Sequence, residues 1–432
     1  MKSGNSRPAR RAALLRTRRA GRVRAVGAVL GALAVASVGF APNAGADDVQ
    51  SKQWYLDEMQ VHQMWKVSTG KGVKVAVIDS GVNPNTPSLK GQVLVDEVPK
   101  SVAYRSTVDY DGHGTTMAEL IAGTGSGGSL QGLAPGAKIV PYRAVFQGFK
   151  AGAAEEKKTP KPWQAIRAAA DTDAKIISMS FGGFVSPQVE AAVKYAASKG
   201  KLMVAAVGNS GTGKGTGNID YPAAYPYVLG IAAVNSSFTV TKFSSYGNFV
   251  DLVAPGEGIP GWCDTAFRTY CDMPGTSTAT ALASASAALI WSAHPTWTVN
   301  QVTRALIDTA SRTWPENDPS KYAGYGFVRP RKVLENAKYD AGAADVDPLA
   351  KENGGGDLLA KSASSSSAAS TPSASATSKA QGKGSTGGTS AAGSSAESSD
   401  NSNTLWIALG GAAAVLVIAG AGVAVTRARR AR

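Results

Sequence analysis

Three short segments contain a carboxylate, an imidazole and a hydroxyl in contexts that suit chemistry. Asp79 ends the apolar run "VKVAVID", His113 stands in the glycine-flanked turn "DGHGT", and Ser277 follows the turn "PGT". A serine becomes a nucleophile when a histidine accepts its proton and a carboxylate orients that histidine. Taken alone, each residue has an ordinary explanation, as a strand-end cap, a turn or a helix N-cap. Together they predict acyl transfer by an Asp-His-Ser triad.

The chain has only three histidines, which narrows the choice of a general base. His62 lies in "VHQMW", where packing or surface exposure explains it. His294 precedes a proline at a predicted helix end and is interpreted as structural. His113 alone lies in a polar turn at the start of a predicted helix, so it is the candidate base.

An alternating series of strands and helices must hold these residues. Strands are predicted at 73–80, 137–145, 174–182, 201–209 and 228–235, and helices at 113–124, 163–171, 187–200 and after Ser277. Apolar strands that alternate with helices are typical of a parallel sheet covered on both faces. Functional residues of such sheets lie at the carboxyl ends of the strands. We therefore predict an α/β, three-layer fold with a mainly parallel central sheet and helices on both faces.

The segments around the three residues resemble those of the subtilisin-like serine proteases. "VAVIDSGV", "DGHGTTMA" and "GTSTAT" are similar to that family's Asp, His and Ser motifs, in the family's order. The resemblance extends over residues 70–335 and implies a subtilisin-like fold and serine endopeptidase activity, with the three residues as the triad. Thr278 stands where the family usually has a bulky apolar residue, and Ala281 where it usually has proline. Altered packing beneath the nucleophile is therefore expected.

The resemblance also implies further site residues. "AVGNSG" matches the segment whose asparagine, here Asn209, supplies an oxyanion-hole donor. "SMSFGG" resembles the strand that lines the substrate, so Ser178, Ser180, Phe181 and Gly182 are expected to bind an extended peptide. No cofactor is implied. Carboxylates do not group into a recognisable calcium loop, which leaves calcium binding open.

The net charge of +14 belongs to the two ends of the chain. Residues 1–46 hold nine Lys or Arg and no acid, and residues 405–432 hold four Arg and no acid. The remaining 32 basic residues are balanced by 31 acidic ones. A nucleic-acid-binding body is therefore excluded.

Both ends contain candidate membrane elements. Residues 1–46 form a predicted signal peptide, with an apolar run at Ala25–Ala41 and a small-x-small cleavage site at Ala44–Ala46. An uncleaved signal anchor is the alternative, and the choice of the Sec or the twin-arginine route stays open. A transmembrane helix is predicted at 404–426, followed by a basic tail at 427–432. The positive-inside rule places the tail in the cytoplasm and the body outside the cell.

Between these ends we predict a short N-terminal extension at 47–70, a peptidase domain at 71–339, and a disordered Ser/Ala/Gly-rich linker at 340–403. This organisation resembles that of the mycosins, membrane-anchored subtilisin-like proteases associated with type VII secretion. The resemblance implies secreted polypeptides as substrates and a secretion membrane complex as a partner. A non-catalytic subunit that stabilises such a complex is the alternative. A lipid- or cell-wall-binding module has only the predicted membrane helix in its favour.

Two segments near the predicted site admit alternatives. Cys263 and Cys271 bracket seven residues just before Ser277. Outside the cell a disulfide is favoured, against two free thiols. The Lys/Glu-containing insertion at Gln147–Trp163 predicts a mobile solvated loop, or alternatively a docking or self-cleavage loop.

Overall fold

The computed structural model describes residues 49–144, 152–211 and 219–354. Its core is a six-stranded sheet in the order β2-β1-β3-β4-β5-β6, in which every neighbouring pair is parallel. The strands are β1 (Lys74–Asp79), β2 (Lys138–Arg143), β3 (Ile176–Met179), β4 (Leu202–Ala206), β5 (Val228–Val234) and β6 (Leu252–Pro255). The predicted mainly parallel sheet is confirmed.

Helices cover both faces of this sheet. They are α1 (Trp54–Glu58), α2 (Val61–Trp65), α3 (His113–Ala122), α4 (Ala153–Lys158), α5 (Pro162–Ala170), α6 (Pro187–Ser198), α7 (Thr276–Ala293), α8 (Val299–Asp308) and α9 (Pro330–Leu334). The long helix α7 packs on β3 to β6 and against α3, whereas α5 and α6 pack on each other and on β1, β3 and β4. Burial on both sides explains why the strands are continuously apolar.

The order of the strands reverses at β1, which pairs with β2 on one side and β3 on the other. Val77 of β1 is in register with Ser178 of β3, so both strands end at the same edge of the sheet. Asp79 is the last residue of β1, and Ser180 follows the end of β3. In parallel sheets, ligands bind at this type of switch point.

Helix α7 consists largely of small residues, which let it lie close to the sheet. Its buried serine hydroxyls form hydrogen bonds within the protein. The Ser284 hydroxyl donates to Ser178 Oγ of β3 at 3.1 Å, and the Ser286 hydroxyl donates to the Leu282 carbonyl of the same helix at 2.8 Å. Nearly every side chain of α7 is buried, but Ser277 is partly exposed. The helix therefore presents its first turn at the functional edge.

The segment 49–70 packs on the body of the domain through paired polar contacts. The Gln53 side chain donates to the Gln131 carbonyl and accepts from the Gln131 amide, both at 2.8 Å. The Trp65 indole donates to the Leu133 carbonyl at 2.9 Å, and Tyr55 is fully buried. This segment is thus part of the folded unit.

The structure differs from the predicted linker at its start. Residues 340–354 lie against the domain, with Ala341 and Leu349 buried. The Arg304 guanidinium donates to the carbonyls of Ala341 and Val346, each at 2.6 Å. Composition gave no sign of this, because the segment is held by its backbone carbonyls and only a few apolar side chains. Residues 340–354 are thus part of the folded body.

The predicted membrane elements lie outside the described residues. Within 49–144, 152–211 and 219–354, no helix combines the length and apolar character that crossing a membrane requires. The predicted signal peptide at 1–46, the transmembrane helix at 404–426 and the tail at 427–432 fall beyond these ranges.

Candidate active site

A buried carboxylate, Asp79, and a partly exposed imidazole, His113, form a pair at the carboxyl edge of the sheet. Asp79 is only 2% exposed, and its Oδ1 lies 2.7 Å from His113 Nδ1. His113 is the first residue of α3. The contact requires a glycine at 114, because a Cβ there would lie 2.2 Å from the Gly81 carbonyl oxygen. Glycine therefore lets the helix start approach the carboxylate.

A second buried carboxylate, which the sequence analysis missed, holds the turn before His113. Asp109 Oδ1 accepts from the Ser80 hydroxyl at 2.7 Å and from the Gly112 amide at 2.9 Å. Asp109 Oδ2 accepts from both the amide and the hydroxyl of Thr115, at 2.8 and 2.6 Å. Its burial raises its pKa, and the hydrogen bonds oppose that rise. Asp109 therefore ties β1 to the start of α3.

Ser277 stands in the first turn of α7, beside the end of β3. Its hydroxyl donates to the Ser180 carbonyl at 3.1 Å, and the Ser180 hydroxyl donates to the Ser277 carbonyl at 3.0 Å. Thr278 is fully buried, and its hydroxyl donates to the Gly275 carbonyl at 2.8 Å. Ala281 is also buried. The two departures from the family pattern thus lie beneath Ser277 without leaving a buried hydroxyl unpaired.

Asn209 lies beside the start of α7, and its side-chain amide is fixed by contacts to Thr276. Its Oδ1 accepts from the Thr276 amide at 2.9 Å and from the Thr276 hydroxyl at 3.1 Å. A Cβ built on Gly275 would lie 3.5 Å from Asn209 Nδ2 and 3.7 Å from the Ser277 amide nitrogen. Two N–H donors therefore border one small space in front of Ser277.

The expected substrate-lining segment is only partly at the surface. Ser180, Phe181 and Gly182 follow β3 at the sheet edge. Ser178 is 1% exposed inside β3, where it accepts from Ser284, and Ser180 is also buried, whereas Phe181 is partly exposed and Gly182 exposed. The expectation that Ser178 binds substrate is therefore corrected. Its side chain packs against α7, as does that of Ser180 two residues later, because alternate residues of a strand point to the same face.

A hairpin of β7 (Pro260–Trp262) and β8 (Tyr270–Asp272) forms a wall beside the start of α3. The Trp262 amide donates to the Thr116 hydroxyl at 3.0 Å. Cys263 and Cys271 are exposed and unbonded in the structure, and contact with the Cys263 thiol contributes to a raised pKa of Cys271, so the disulfide stays a prediction. Cys271 is in register with Gly261, so the two cysteines are diagonal rather than directly opposite. The antiparallel pairing of β7 with β8 holds together the two ends of the loop that contains residues 263–269.

The described part of the insertion at Gln147–Trp163 is held to the domain. Its helix α4 carries Glu155, which contacts Arg105 Nη1 at 2.5 Å, Arg143 Nη2 at 3.3 Å and the Tyr104 hydroxyl at 3.1 Å. Residues 145–151 lie outside the described part. Where the composition predicted a mobile solvated loop, the structure thus has a helix at Ala153–Lys158 that Glu155 holds to the domain by ion pairs.

The other two histidines pack on tryptophans. The His62 ring lies edge-on to Trp65 with ring centroids 5.3 Å apart. The His294 ring stacks on Trp297 with ring centroids 3.8 Å apart, and burial lowers the pKa of His294.

Among the described residues, no group of three or more His, Cys, Asp or Glu side chains could hold a metal ion.

The pKa of His113 provides a test of the pair. Burial alone lowers this pKa, but the charge and hydrogen bond of Asp79, with the charges of Asp111 and Asp109, outweigh it and raise the pKa from 6.5 to about 9. NMR titration should show one imidazole with a pKa well above 6.5 that disappears in His113→Ala. In Asp79→Asn the same pKa should fall well below about 9, because the charge and hydrogen bond of Asp79 are lost and only the charges of Asp111 and Asp109 still oppose the effect of burial. An unchanged titration in Asp79→Asn would contradict the pairing.

Because the pKa of His113 is higher in the folded state, the free energy of unfolding depends on pH. The His113 proton stabilises the folded state fully below pH 6.5, by about 3 kcal/mol, and this contribution is lost as pH rises to about 9. A general base must be neutral. Activity that depends on His113 should therefore increase over the same interval in which this stabilisation declines.

Glu119 is a fully buried carboxyl on α3 that faces the hairpin. Its Oε2 accepts from the Tyr270 hydroxyl at 3.3 Å, and burial raises its pKa from 4.5 to about 8. Between these pH values the folded state holds a proton that the unfolded state has released. The free energy of unfolding should therefore fall as pH rises from 4.5 to 8.

We expect Glu119→Gln to remove this pH dependence. The variant should match the parent near pH 5 and exceed its free energy of unfolding by about 2–4 kcal/mol near pH 9. Denaturant unfolding at both pH values measures the difference, with the exposed Glu58→Gln as the control. Equal losses of stability with pH in parent and Glu119→Gln would contradict the expectation.

Comparison with known proteins places the chain in a family. The Subtilase family model matches residues 70–326, more than half of the chain. The chain therefore belongs to the subtilase family, and the fold and family together define a subtilisin-like serine protease.

Individual relatives agree with this placement. The chain is 32% identical to the major intracellular serine protease of Bacillus subtilis over 307 residues, 67% of this chain and 92% of the relative. It is 36% identical to subtilisin NAT of Bacillus subtilis subsp. natto over 263 residues, 60% of this chain but only 65% of the relative's length.

The solved structures that are similar to this chain include mycosins. The MycP3 protease from the type VII (ESX-3) secretion system is similar with a TM-score of 0.56 and 28% identity, over 67% of this chain and 90% of that one. MycP1 from Mycobacterium smegmatis is similar with a TM-score of 0.56 and 25% identity, over 70% and 88%. These structural neighbours are mycosins, as the sequence resemblance suggested.

Proposed function

We propose that this chain is a serine endopeptidase in which Ser277 is the nucleophile, His113 the general base and Asp79 the residue that orients the base. The 2.7 Å contact between His113 Nδ1 and Asp79 Oδ1 supports this proposal most strongly. It directs the second ring nitrogen away from the carboxylate, toward the cleft. An imidazole held in this way accepts a proton at Nε2.

The reaction begins when the Ser277 hydroxyl turns from the Ser180 carbonyl toward His113. Ser277 Oγ attacks the carbonyl carbon of a peptide bond as its proton moves to His113 Nε2. The tetrahedral intermediate collapses when His113 returns this proton to the leaving amine, leaving an acyl-enzyme. Water, deprotonated by the same imidazole, then hydrolyses the ester and restores Ser277.

The negative oxygen of the tetrahedral intermediate binds in the space between Asn209 Nδ2 and the Ser277 amide. Amide groups in the first turn of a helix have no intrahelical acceptor and carry the positive end of the helix dipole. The Thr276 contacts to Asn209 Oδ1 fix the side-chain amide before substrate arrives. Such preorganised donors stabilise charge that develops in the transition state.

An extended peptide binds along the segment that follows β3, in which Ser180 is buried, Phe181 partly exposed and Gly182 exposed. Backbone hydrogen bonds to such a segment hold the peptide without regard to most of its side chains. Polypeptides are therefore the substrate class.

The protease domain acts outside the cell, anchored by the apolar segment at 404–426 and exported by the segment at 1–46. The likeness to the MycP3 and MycP1 structures supports an association with a type VII secretion complex and with secreted substrates. Membrane fractions of the native host should retain the full chain after an alkaline carbonate wash. Its release into the soluble fraction would contradict the anchor.

Proteolysis by the purified full chain tests the proposed activity. We expect hydrolysis of an unbiased mixture of quenched fluorescent peptides by the parent and none by Ser277→Ala. If the folded parent cleaves nothing while Ser277→Ala still supports secretion in the host, the chain acts as a structural subunit instead.

A further inference from the structure

Lysines occupy the starts of four neighbouring strands, at the edge of the sheet opposite the candidate active site. Lys74 and Lys138 are the first residues of β1 and β2 and are in register with each other. Lys175 and Lys201 directly precede β3 and β4. The Lys175 amide donates to the Lys74 carbonyl at 3.1 Å, and the Leu202 amide donates to the Lys175 carbonyl at 3.0 Å. The four lysines therefore form one row of about 15 Å across adjacent strands.

Two exposed lysines extend this row. Lys71 lies in the turn before β1, where its carbonyl accepts from the Ser292 hydroxyl of α7 at 2.7 Å, and Lys199 follows α6. The strand β1 separates this edge from Asp79 by about 17 Å. The lysine patch, as defined here, consists of Lys71, Lys74, Lys138, Lys175, Lys199 and Lys201.

The positive charge of the lysine patch is only partly neutralised. Lys74 forms ion pairs with Glu97 at 2.7 Å and with Asp173 at 2.8 Å. Lys199 Nζ lies 4.0 Å from Asp171 Oδ1. Six ammonium groups thus pair with three carboxylates, which leaves a net positive charge at this edge of the sheet.

Lys138, Lys175 and Lys201 donate to neutral oxygens instead. Lys138 Nζ donates to the Gly91 carbonyl and Lys175 Nζ to the Pro295 carbonyl, both at 2.8 Å, and Lys201 Nζ donates to two backbone carbonyls. In the described part of the chain, all acceptors of these three ammonium groups are uncharged. Burial lowers the pKa of Lys175 and of Lys201. An anionic partner would therefore stabilise this edge.

The last described residues lie at the same edge of the sheet. Asn353 Oδ1 accepts from the amide of Tyr227, which directly precedes β5, at 2.5 Å. Glu352 contacts the side chain of Asp251, which directly precedes β6. The chain that continues toward the predicted membrane helix at 404–426 therefore leaves the folded body at the edge that carries the lysine patch.

We propose that the lysine patch binds the anionic head groups of the membrane in which the chain is anchored, so that the active site faces away from the lipid surface. This inference rests on the anchoring stated in the proposed function. Each lysine close to an anionic surface strengthens binding by about fivefold. Anchoring keeps the patch near the surface, so a weak attraction suffices. The point where the chain leaves the body favours a membrane over an acidic polypeptide as the partner.

Acetylation by a membrane-impermeant reagent measures this contact on the full chain. The chain is reconstituted into vesicles of phosphatidylcholine alone or of an equimolar mixture with phosphatidylglycerol, and acetylated lysines are quantified by mass spectrometry. Lys71 and Lys199 should react at least about threefold more slowly in the anionic vesicles. This protection should disappear at about 1 M salt, where charges are screened within about 3 Å. The exposed Lys157 and Lys242, on segments near the carboxyl ends of β2 and β4, should react equally in both vesicles.

A matched pair of double variants tests the patch itself. Lys71→Gln combined with Lys199→Gln should reduce the protection of Lys138 in anionic vesicles. Lys157→Gln combined with Lys242→Gln removes the same charge near the active-site edge and should leave that protection unchanged. Protection that is equal in the two double variants would overturn the proposal.

Further outcomes separate the partner classes and the proposed anchor. Equal acetylation of Lys71 in both kinds of vesicle, or protection that salt does not reverse, would overturn the proposal. Protection by poly-glutamate but not by anionic vesicles would overturn it and assign the patch to an acidic polypeptide. A chain that does not float with phosphatidylcholine vesicles would overturn the anchor, whereas its salt-dependent protection by added anionic vesicles would still support the lysine patch as a lipid-binding surface.

Discussion

Replacement of Ser277 by alanine should lower kcat/KM for peptide hydrolysis by about 10⁴–10⁶, the largest loss expected for any single substitution. The variant retains the space for the oxyanion but lacks the attacking oxygen. His113→Ala should cause a similar loss, because the hydroxyl then has no base. The double variant should be no worse than either single one, since the two residues act in one step.

The measurement compares kcat/KM for one good peptide in the two single variants, the double variant and Ser292→Ala. Ser292 lies near the far end of α7, where its hydroxyl donates to the Lys71 carbonyl at 2.7 Å. Its replacement controls for loss of a helix serine and should leave kcat/KM unchanged. Losses at Ser277 and His113 that multiply in the double variant would contradict a shared step.

Replacement of Asn209 by alanine is expected to lower kcat by about 10²–10³ with little change in KM. That range is the one found when the corresponding donor is removed from a subtilisin, so it is borrowed from the family. The effect should fall on kcat because Asn209 Nδ2 binds an oxygen whose negative charge develops only in the transition state. Steady-state kinetics on a single peptide separates the two parameters.

Thr276→Val tests whether the contacts of Thr276 to Asn209 help to position the oxyanion donor. It removes the hydroxyl that donates to Asn209 Oδ1 at 3.1 Å but keeps the backbone donor at 2.9 Å. The loss in kcat should therefore be smaller than in Asn209→Ala, about tenfold or less. A large rise in KM with unchanged kcat in Asn209→Ala would mean that this residue binds the ground state and not the oxyanion.

The sequence was sufficient to predict the elements that depend on local pattern. The continuous apolar runs predicted the parallel sheet, and the motifs around Asp79, His113 and Ser277 predicted which residues lie at its edge. These features are readable because each is a short segment with a distinctive composition. The prediction of helices on both faces also followed from this alternation.

The misses involve residues whose role depends on distant parts of the chain. Asp109 was overlooked because its partners Ser80 and Thr115 lie on either side of it in different elements. Ser178 was misassigned because a motif does not show which face of a strand is covered by α7.

The segments at 152–163 and 340–354 illustrate the same limit. Both have polar compositions that favour solvated chain. In the structure Glu155 lies against Arg105, and Arg304 binds the carbonyls of Ala341 and Val346. Long-range polar contacts of this kind are set by the packed fold, so composition does not predict them.

The most direct test of the account is to locate the adduct of a fluorophosphonate on the full chain by peptide mass spectrometry. We expect one adduct, on the peptide that contains Ser277, that is absent in His113→Ala and in Ser277→Ala. This outcome requires a serine activated by its histidine. An unlabelled parent that is demonstrably folded, or an adduct on another serine, would contradict the assignment of Ser277 and His113 as the reacting pair.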